Sequence, residues 1–230
     1  MKLNKRLIKI LSLVEMNKKV IDIGTDHGLV PLYLAKNNIS KDILATDISK
    51  NSLDKLNSSE FDNYRDIIKT KVTDGFEGLK SEKNQIAIIA GMGANTIINI
   101  LKSNLNFSHS LDYIIIESNI ANEKLRYFLN NNEFLFVKDF LIYDNKKFYD
   151  IMKVKKGIEK KYDLSEIYFG RNNIEKKSLI LLKKLKYEKR KNKMIKKNIL
   201  KNSKKGSSLK KIDEILMAIE EVEKKWKLEI

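Results

Sequence analysis

The most constraining part of this sequence is residues 19–34, where an apolar segment leads through two glycines into a helix-like pattern. Residues 20–23 are apolar except for Asp22, the turn that follows contains Gly24 and Gly28, and leucines then recur at helical spacing. Glycine lets a ligand approach the main chain closely, and the N-terminus of the next helix attracts polar ligand groups. Strand, glycine turn and helix together are typical of the first unit of a nucleotide-binding α/β fold.

Three later apolar segments also end in aspartate, glycine or both. They end at Asp47 with Ile48, at Asp74 with Gly75, and at Gly91 with Met92 and Gly93. Ligands of open α/β sheets bind outside the carboxyl ends of the strands, so these four ends are predicted to form one pocket.

The acids at these ends indicate which cofactor the pocket takes. Asp26 stands where a dinucleotide-binding G-x-G-x-x-G turn has its second glycine, and a carboxylate there would repel a pyrophosphate. S-adenosylmethionine has no phosphates but carries a sulfonium and an ammonium, which carboxylates suit. Asp22 and Asp26 are predicted to hold its methionine end, Asp47 its ribose hydroxyls, and Asp74 with the Gly75 amide its adenine edge. For any single aspartate, the alternative is an ordinary turn or cap residue.

The pattern beyond the first unit predicts a doubly wound, Rossmann-like α/β sheet of seven strands. Five strands with crossover helices are followed by two, at residues 133–142 and 147–155, joined by a turn, so the last strand is antiparallel. After Gly157 the sequence becomes charged with sparse apolar seams, which predicts a coiled-coil-like helical hairpin with helices at residues 174–200 and 209–228 and a break at residues 203–208. The seam of the second helix is predicted at heptad spacing, with Glu223 as its one exception, through Leu209, Ile212, Leu216, Ile219 and Trp226. The predicted domains are residues 1–157 and residues 158–230.

Positive charge is concentrated in the first half of this second region. Residues 171–205 contain fifteen Lys or Arg and two acids, a surplus of thirteen out of a net charge of +16. A composition rich in Lys throughout would spread the charge evenly, so this segment is predicted to bind a polyanion. Its alternative is a solvated helix face.

Composition also excludes several classes of function. The sequence has no cysteine, which removes disulfides, thiolate metal sites and cysteine nucleophiles, and it has no apolar run long enough to span a membrane. We therefore expect a cytoplasmic protein without membrane or metal partners. Its oligomeric state is left open, with a monomer preferred.

The motifs resemble a known family, the bacterial tRNA (adenine-22-N1)-methyltransferases, which are class I S-adenosylmethionine-dependent enzymes. The similarity rests on residues 22–27 with Pro31, on residues 89–93, on Asn119–Ile120 with Arg126, and on the basic C-terminal extension. It implies the methyltransferase fold, a tRNA partner, and methyl transfer to N1 of an adenosine. Two positions depart from the family pattern: Asp47 replaces a common Glu, and Glu117-Ser118 replaces Gln-Pro, so the roles of Glu117 and Ser118 stay open.

Two sequence features that are missing narrow the choice of the atom that is methylated. The fourth strand is not followed by the Asn/Asp-Pro-Pro-aromatic turn of exocyclic N6 methylation, and C5 methylation of pyrimidines needs a cysteine. A ring nitrogen is therefore favoured. The alternatives are another RNA base methyltransferase, a non-catalytic RNA-binding protein on a Rossmann-like scaffold, and an NAD enzyme, which Asp26 disfavours.

The predicted catalytic residues are Asp26 and Asn119. Asn119 can read an adenine edge, or it can cap a helix beginning at Ile120, and His27 can be purely structural. The predicted cofactor-binding residues are Asp22, Gly24, Asp26, His27, Asp47, Ile48, Asp74, Gly75, Gly91, Met92 and Gly93.

Overall fold

A computed structural model describes residues 3–201 and 207–228 of the chain, without the side chain of Ser207. Seven strands form one sheet in the order β3-β2-β1-β4-β5-β7-β6. The strands are β1 (Lys19–Ile23), β2 (Asp42–Asp47), β3 (Ile68–Val72), β4 (Gln85–Met92), β5 (Tyr113–Ser118), β6 (Phe134–Asp144) and β7 (Lys147–Lys156). β1 to β5 are parallel, while β7 runs antiparallel between β5 and β6, so the predicted topology is confirmed.

Ten α-helices lie in the described ranges. They are α1 (Lys5–Leu11), α2 (Leu29–Lys36), α3 (Lys50–Asp54), α4 (Ala94–Ser103), α5 (Leu105–Ser110), α6 (Asn122–Asn131), α7 (Leu164–Phe169), α8 (Arg171–Glu175), α9 (Leu179–Lys201) and α10 (Ser207–Trp226). Two short 3₁₀ helices, Lys55–Asn57 and Ser59–Tyr64, follow α3. None of the helices in these ranges is long and apolar enough to cross a membrane.

The central strands β1, β4 and β5 are buried on both faces, and their sequences are nearly continuous apolar runs. Successive residues alternate between two clusters: Ile114 and Ile116 pack with α4, α5 and α6, whereas Tyr113 and Ile115 pack with α1 and α2. This arrangement leaves the carboxyl ends of the parallel strands as the place where polar side chains gather.

Three predictions about the helices need correction: a first helix over residues 3–16, a cap by Ser49 on the helix after β2, and a first hairpin helix over residues 174–200. The first helix is much shorter than residues 3–16, beginning after Asn4, whose side chain accepts a hydrogen bond from the Leu7 amide at 2.8 Å. The side chain of Ser49 makes no cap hydrogen bond to α3. The connection between β3 and β4 contains turns, which agrees with the turn that the sequence of residues 75–79 indicates. The first helix of the hairpin begins at Leu179, since α8 ends separately and Lys177 adopts a positive φ.

The C-terminal helices α9 and α10 pack together as predicted, and three predicted seam positions of α10, Ile212, Ile219 and Trp226, are buried, but the seam differs at the others. The predicted positions Leu209 and Leu216 are only partly buried, whereas Val222 is fully buried and Ile215 packs against the same cluster. The seam runs at three- and four-residue spacing through Ile212, Ile215, Ile219, Val222 and Trp226. Glu223 is therefore not an interruption of the seam, and it pairs with Lys189 at 2.5 Å. Most of the predicted breaker, residues 203–208, lies outside the described residues.

A buried ion network connects these helices to the sheet. Arg126 on α6 pairs with Asp139 of β6 at 2.8 Å and with Asp150 of β7 at 2.5 Å. Asp150 also pairs with Lys184 of α9 at 2.9 Å. Burial raises the pKa of Asp139, whereas the two cations beside Asp150 outweigh burial and lower its pKa. The predicted boundary at residue 157 stays a prediction, and the pair of Asp150 with Lys184 crosses it.

Candidate active site

The predicted pocket corresponds to a cleft of about 570 Å³ at the carboxyl ends of β1, β2, β4 and β5. Eight of the predicted residues line it: Asp22, Gly24, Asp26, His27, Asp47, Gly91, Met92 and Asn119. The others lie outside its lining. Ile48 is exposed next to Asp47, and Gly93 stands at the N-terminal cap of α4. Asp74 and Gly75 line a separate depression beside α4.

Asp22 is the most deeply placed carboxylate of the cleft. It lies within β1, between β2 and β4, and only 5% of its surface is exposed. Burial, with a smaller contribution from the negative charge of Asp47, raises the pKa of Asp22 to about 7. A cation entering the cleft would stabilise the charged form of this side chain.

Asp26 and Asp47 are linked across the mouth of the cleft. Asp47 accepts hydrogen bonds from the main-chain amides of Ser49 at 2.8 Å and Asp26 at 3.4 Å. The Asp26 carboxylate pairs with Lys55 at 2.8 Å, which lowers its pKa, and His27 Nε2 lies 3.4 Å from it. Asp26 is therefore ionised and partly neutralised, whereas within residues 3–201 and 207–228 no salt bridge joins Asp22 to a cation.

Glycine is required at two turns of the cleft. Gly24 has a φ of +73° and Gly91 a φ of +83°, a region of backbone angles that other residues adopt only with strain. A Cβ added at Gly24 would also overlap the end of the Met92 side chain. Met92 also lines the cleft.

Asn119 joins the exits of β4 and β5. Its main-chain amide donates to the Met92 carbonyl at 2.9 Å, and its side-chain Nδ2 donates to the Gly91 carbonyl at 2.6 Å. The helix that follows begins at Asn122, and Ala121 occupies the cap position. The alternative that Asn119 caps this helix is thus wrong.

Sequence reasoning missed an ion pair that supports this loop. Arg6 of α1 lines the cleft and pairs with Glu117 at the end of β5 at 2.6 Å. The same Glu117 oxygen accepts a hydrogen bond from the Gly91 amide at 3.0 Å. Burial raises the pKa of Glu117, although Arg6 opposes the shift. An acid at the end of a continuous apolar strand was the available signal, because such a buried charge needs a partner.

Ser118 has a local structural role, since its hydroxyl donates to the Ile120 carbonyl at 2.8 Å. Tyr149 of β7 is a second lining residue that the sequence did not indicate. It approaches the cleft because β7 lies next to β5, a neighbour relation that only the sheet order reveals.

The donor set of the cleft fits a cationic ligand that carries hydroxyl groups. Three carboxylates line it, and its one arginine is already engaged by Glu117. A phosphate-bearing dinucleotide would meet repulsion here, whereas the sulfonium and ammonium of S-adenosylmethionine would be attracted. Within residues 3–201 and 207–228, no group of histidines and acids is arranged to hold a metal ion.

Comparison with known proteins agrees with this geometry. Residues 3–152 match the model of a family described as a methyltransferase domain. A Mycoplasma genitalium protein, MG248, whose name assigns it provisionally to the tRNA methyltransferases, is 35% identical over 169 residues, which cover 71% of this chain and 74% of that protein. The tRNA (adenine(22)-N(1))-methyltransferase of Bacillus subtilis is 24% identical over 158 residues, covering 68% and 66% of the two chains.

A solved structure extends the similarity to the whole chain. TrmK of M. capricolum, in complex with S-adenosylhomocysteine, superposes with a TM-score of 0.79 at 26% identity and covers 99% of both chains. The match therefore includes the C-terminal helices as well as the sheet. The chain belongs to the methyltransferase-domain family and, within it, to the group of bacterial tRNA methyltransferases that includes the tRNA (adenine-22-N1)-methyltransferases.

Proposed function

We propose that this protein transfers a methyl group from S-adenosylmethionine to N1 of an adenosine in tRNA, the adenosine at position 22. The observation that carries the proposal is one cleft in which Asp22, Asp26 and Asp47 lie beside Asn119. The relatives support it, because they include an enzyme named for this reaction and a complex with the product of this cofactor.

The cofactor supplies a methyl group on a positively charged sulfur. Asp22 and Asp26 attract the cationic methionine end, and the two acceptor oxygens of Asp47 suit the ribose hydroxyls. The glycines at residues 24 and 91 let the cofactor approach the main chain. The proposed adenine contact of Asp74 and the Gly75 amide belongs to a neighbouring depression, so it requires the adenine to extend beyond the cleft.

The substrate needs orientation more than activation. N1 of adenine already has a lone pair in the plane of the ring, so no base is required to create the nucleophile. Asn119 is tied to Gly91 through its Nδ2, and its Oδ1 is placed to accept from the exocyclic amino group of adenine. Methylation leaves the base positively charged, and the ionised Asp26 carboxylate stabilises that charge.

A tRNA substrate also accounts for the basic C-terminal region. The lysines of residues 171–205 attract the phosphate backbone, which positions the RNA without reading its sequence. A tRNA substrate further implies a cytoplasmic location. We propose a monomer as the working state, since one chain supplies both the cleft and the basic helix.

The test is methylation of an unmodified tRNA transcript with labelled S-adenosylmethionine, followed by nucleoside mass spectrometry. We expect 1-methyladenosine in the wild-type reaction and none after the target adenosine is replaced by guanosine. Asp47→Asn should weaken cofactor binding by at least about tenfold in calorimetry, the scale of one lost pair of polar contacts.

The matched control is Asp54→Asn, which removes an exposed acid on α3 outside the cleft. It should leave the affinity for the cofactor unchanged. A different methylated nucleoside would redirect the proposal to another RNA base, and binding of NAD in place of S-adenosylmethionine would contradict it.

A further inference from the structure

A second, larger groove leads away from the cleft. It has a volume of about 920 Å³ and lies between the β6–β7 turn, the start of α6, and helices α7, α9 and α10. Asn119 and Tyr149 line both the groove and the cleft, so the two adjoin each other. Any polymer whose target group sits in the cleft can therefore run along the groove.

The groove is positively charged. Three acids line it, and two of them are paired: Glu123 with Lys211 at 2.9 Å, and Asp150 with Arg126 and Lys184. Its six lysines are Lys146, Lys147, Lys183, Lys184, Lys191 and Lys211. Lys184 and Lys211 are the paired lysines, so four exposed lysines remain in the lining of the groove. The only lining acid not counted among these pairs is Glu188.

Aromatic rings line the same surface. Tyr187 of α9 is 55% exposed, and its ring centroid lies 6.3 Å from that of Phe148. The Lys183 ammonium lies 3.5 Å from the centre of the Tyr143 ring, and Lys191 lies 5.7 Å from that of Tyr187. Exposed rings flanked by cations are the means by which proteins hold unpaired nucleotides, since bases stack on the rings and phosphates meet the cations.

We propose that this groove holds the RNA strand adjoining the target adenosine, with Tyr187 stacking a neighbouring base and Lys183 and Lys191 contacting its phosphates. The proposal rests on the proposed function and specifies where the substrate lies. A base inside folded RNA must be unstacked before it can enter a cleft, and the neighbouring nucleotides must then be held open. A stacking ring next to the cleft compensates for the stacking that the strand loses.

The charge contribution can be tested with two variants of equal net charge. Lys183→Ala with Lys191→Ala removes two groove lysines, whereas Lys41→Ala with Lys83→Ala removes two exposed lysines that lie outside the groove and outside residues 171–205. Fluorescence anisotropy with a labelled tRNA transcript measures binding, and steady-state methylation measures KM. We expect the groove pair to raise Kd and KM by about tenfold and the control pair by less than about twofold. Cofactor affinity should be the same in both.

The stacking contribution is tested at Tyr187. Tyr187→Leu removes the ring and should raise the Kd for the transcript by about tenfold, whereas Tyr187→Phe keeps the ring and should bind as the wild type does. Equal losses in the two lysine pairs, or equal behaviour of the Leu and Phe variants, would overturn the groove assignment. Polyglutamate that competes with tRNA at equal charge concentration would instead indicate an acidic protein partner and would also overturn it.

These outcomes test the groove assignment and the proposed reaction independently of each other. If the wild type binds tRNA but produces no 1-methyladenosine, the proposed function fails while the binding comparison still decides the groove. If the wild type methylates tRNA and the groove variants match their controls, only the groove assignment fails. A wild type that binds no RNA would overturn both.

Discussion

At the scale of single residues, Asp22 and Asp26 show how two acids of one turn acquire different properties. Asp22 is buried, and burial raises its pKa to about 7. Asp26 is exposed, bonded to Lys55, and its pKa is lowered. The sequence indicated both as ligands of a cation but could not rank them, because burial and the position of Lys55 depend on the folded chain. The structure favours Asp22 as the residue whose charge responds to the ligand.

This difference predicts a pH dependence of cofactor binding. In the free protein, Asp22 is protonated below about pH 7, and a bound cation lowers its pKa, so the affinity for S-adenosylmethionine rises with pH and levels off above about pH 7. The limiting slope is about tenfold per pH unit. Calorimetry between about pH 5.5 and pH 8.5 measures it. Asp22→Asn should bind more weakly without this dependence, leaving only the titration of the cofactor's own amino group.

An identical pH profile in the wild type and Asp22→Asn would show that Asp22 does not titrate on binding. Asp54→Asn serves again as the control, since it removes an exposed acid and should retain the wild-type profile. Unfolding curves at each pH separate loss of affinity from loss of folded protein.

At the scale of secondary-structure elements, the sequence predicted strands better than helix ends. Buried strands such as β5 appear as apolar runs, and the turn between β6 and β7 is marked by Asp144 and Asn145. Helix limits depend on local capping and on packing, so α1 proved to be seven residues long and α9 began later than expected. The seam of α10 differed because a tertiary partner, and not periodicity alone, decides which face is buried.

The contact between α1 and β5 predicts a measurable coupling. Arg6 holds Glu117, and Glu117 in turn holds the Gly91 amide at the cleft. A double-mutant cycle with Arg6→Met and Glu117→Gln should give a coupling free energy of about 1–3 kcal/mol in urea unfolding. Arg6→Met alone should be the least stable member, because it leaves Glu117 buried without its cation.

The stability of the variants in this cycle should also depend on pH. The pKa of Glu117 is raised in the folded state, so the folded protein retains a proton that the unfolded chain releases, and stability falls as pH rises through the folded-state pKa. Without Arg6 the pKa rises further, so Arg6→Met should lose more stability than the wild type between about pH 5 and pH 8. The double variant Arg6→Met with Glu117→Gln should not show this additional pH-dependent loss of stability. If the stability of Arg6→Met did not change with pH, the assigned ion pair between Arg6 and Glu117 would be contradicted.

At the scale of the whole molecule, the sheet and the C-terminal helices share packing that the sequence did not reveal. Leu141 of β6 is buried in one cluster with Phe169, Leu181 and Trp226. The residues of the Arg126 network are distributed from α6 to α9, so no local pattern joins them. The composition change after Gly157 correctly located the helical region, but it gave no information on how firmly that region is attached.

This attachment predicts the outcome of removing the C-terminal helices. A chain ending at Gly157 would expose Leu141, deprive Asp150 of Lys184, and leave Arg126 without the carbonyl acceptors of Ile167 and Tyr168. We expect the truncated chain to unfold at lower urea concentration, with a loss of at least about 2–4 kcal/mol, and to bind the cofactor only where it remains folded. Circular dichroism measures unfolding, and calorimetry at low urea measures binding.

The full-length variant Lys184→Met separates the ion pair from the packing. It removes one cation of the network while Arg126 still holds Asp150, so its loss of stability should be clearly smaller than that of the truncated chain. A truncated chain as stable as the full-length protein would show that residues 1–157 form an independent domain and that the contacts across residue 157 contribute little. Loss of tRNA binding by a fully stable truncated chain could then be assigned to the missing basic helices alone, whereas loss by an unstable one could not.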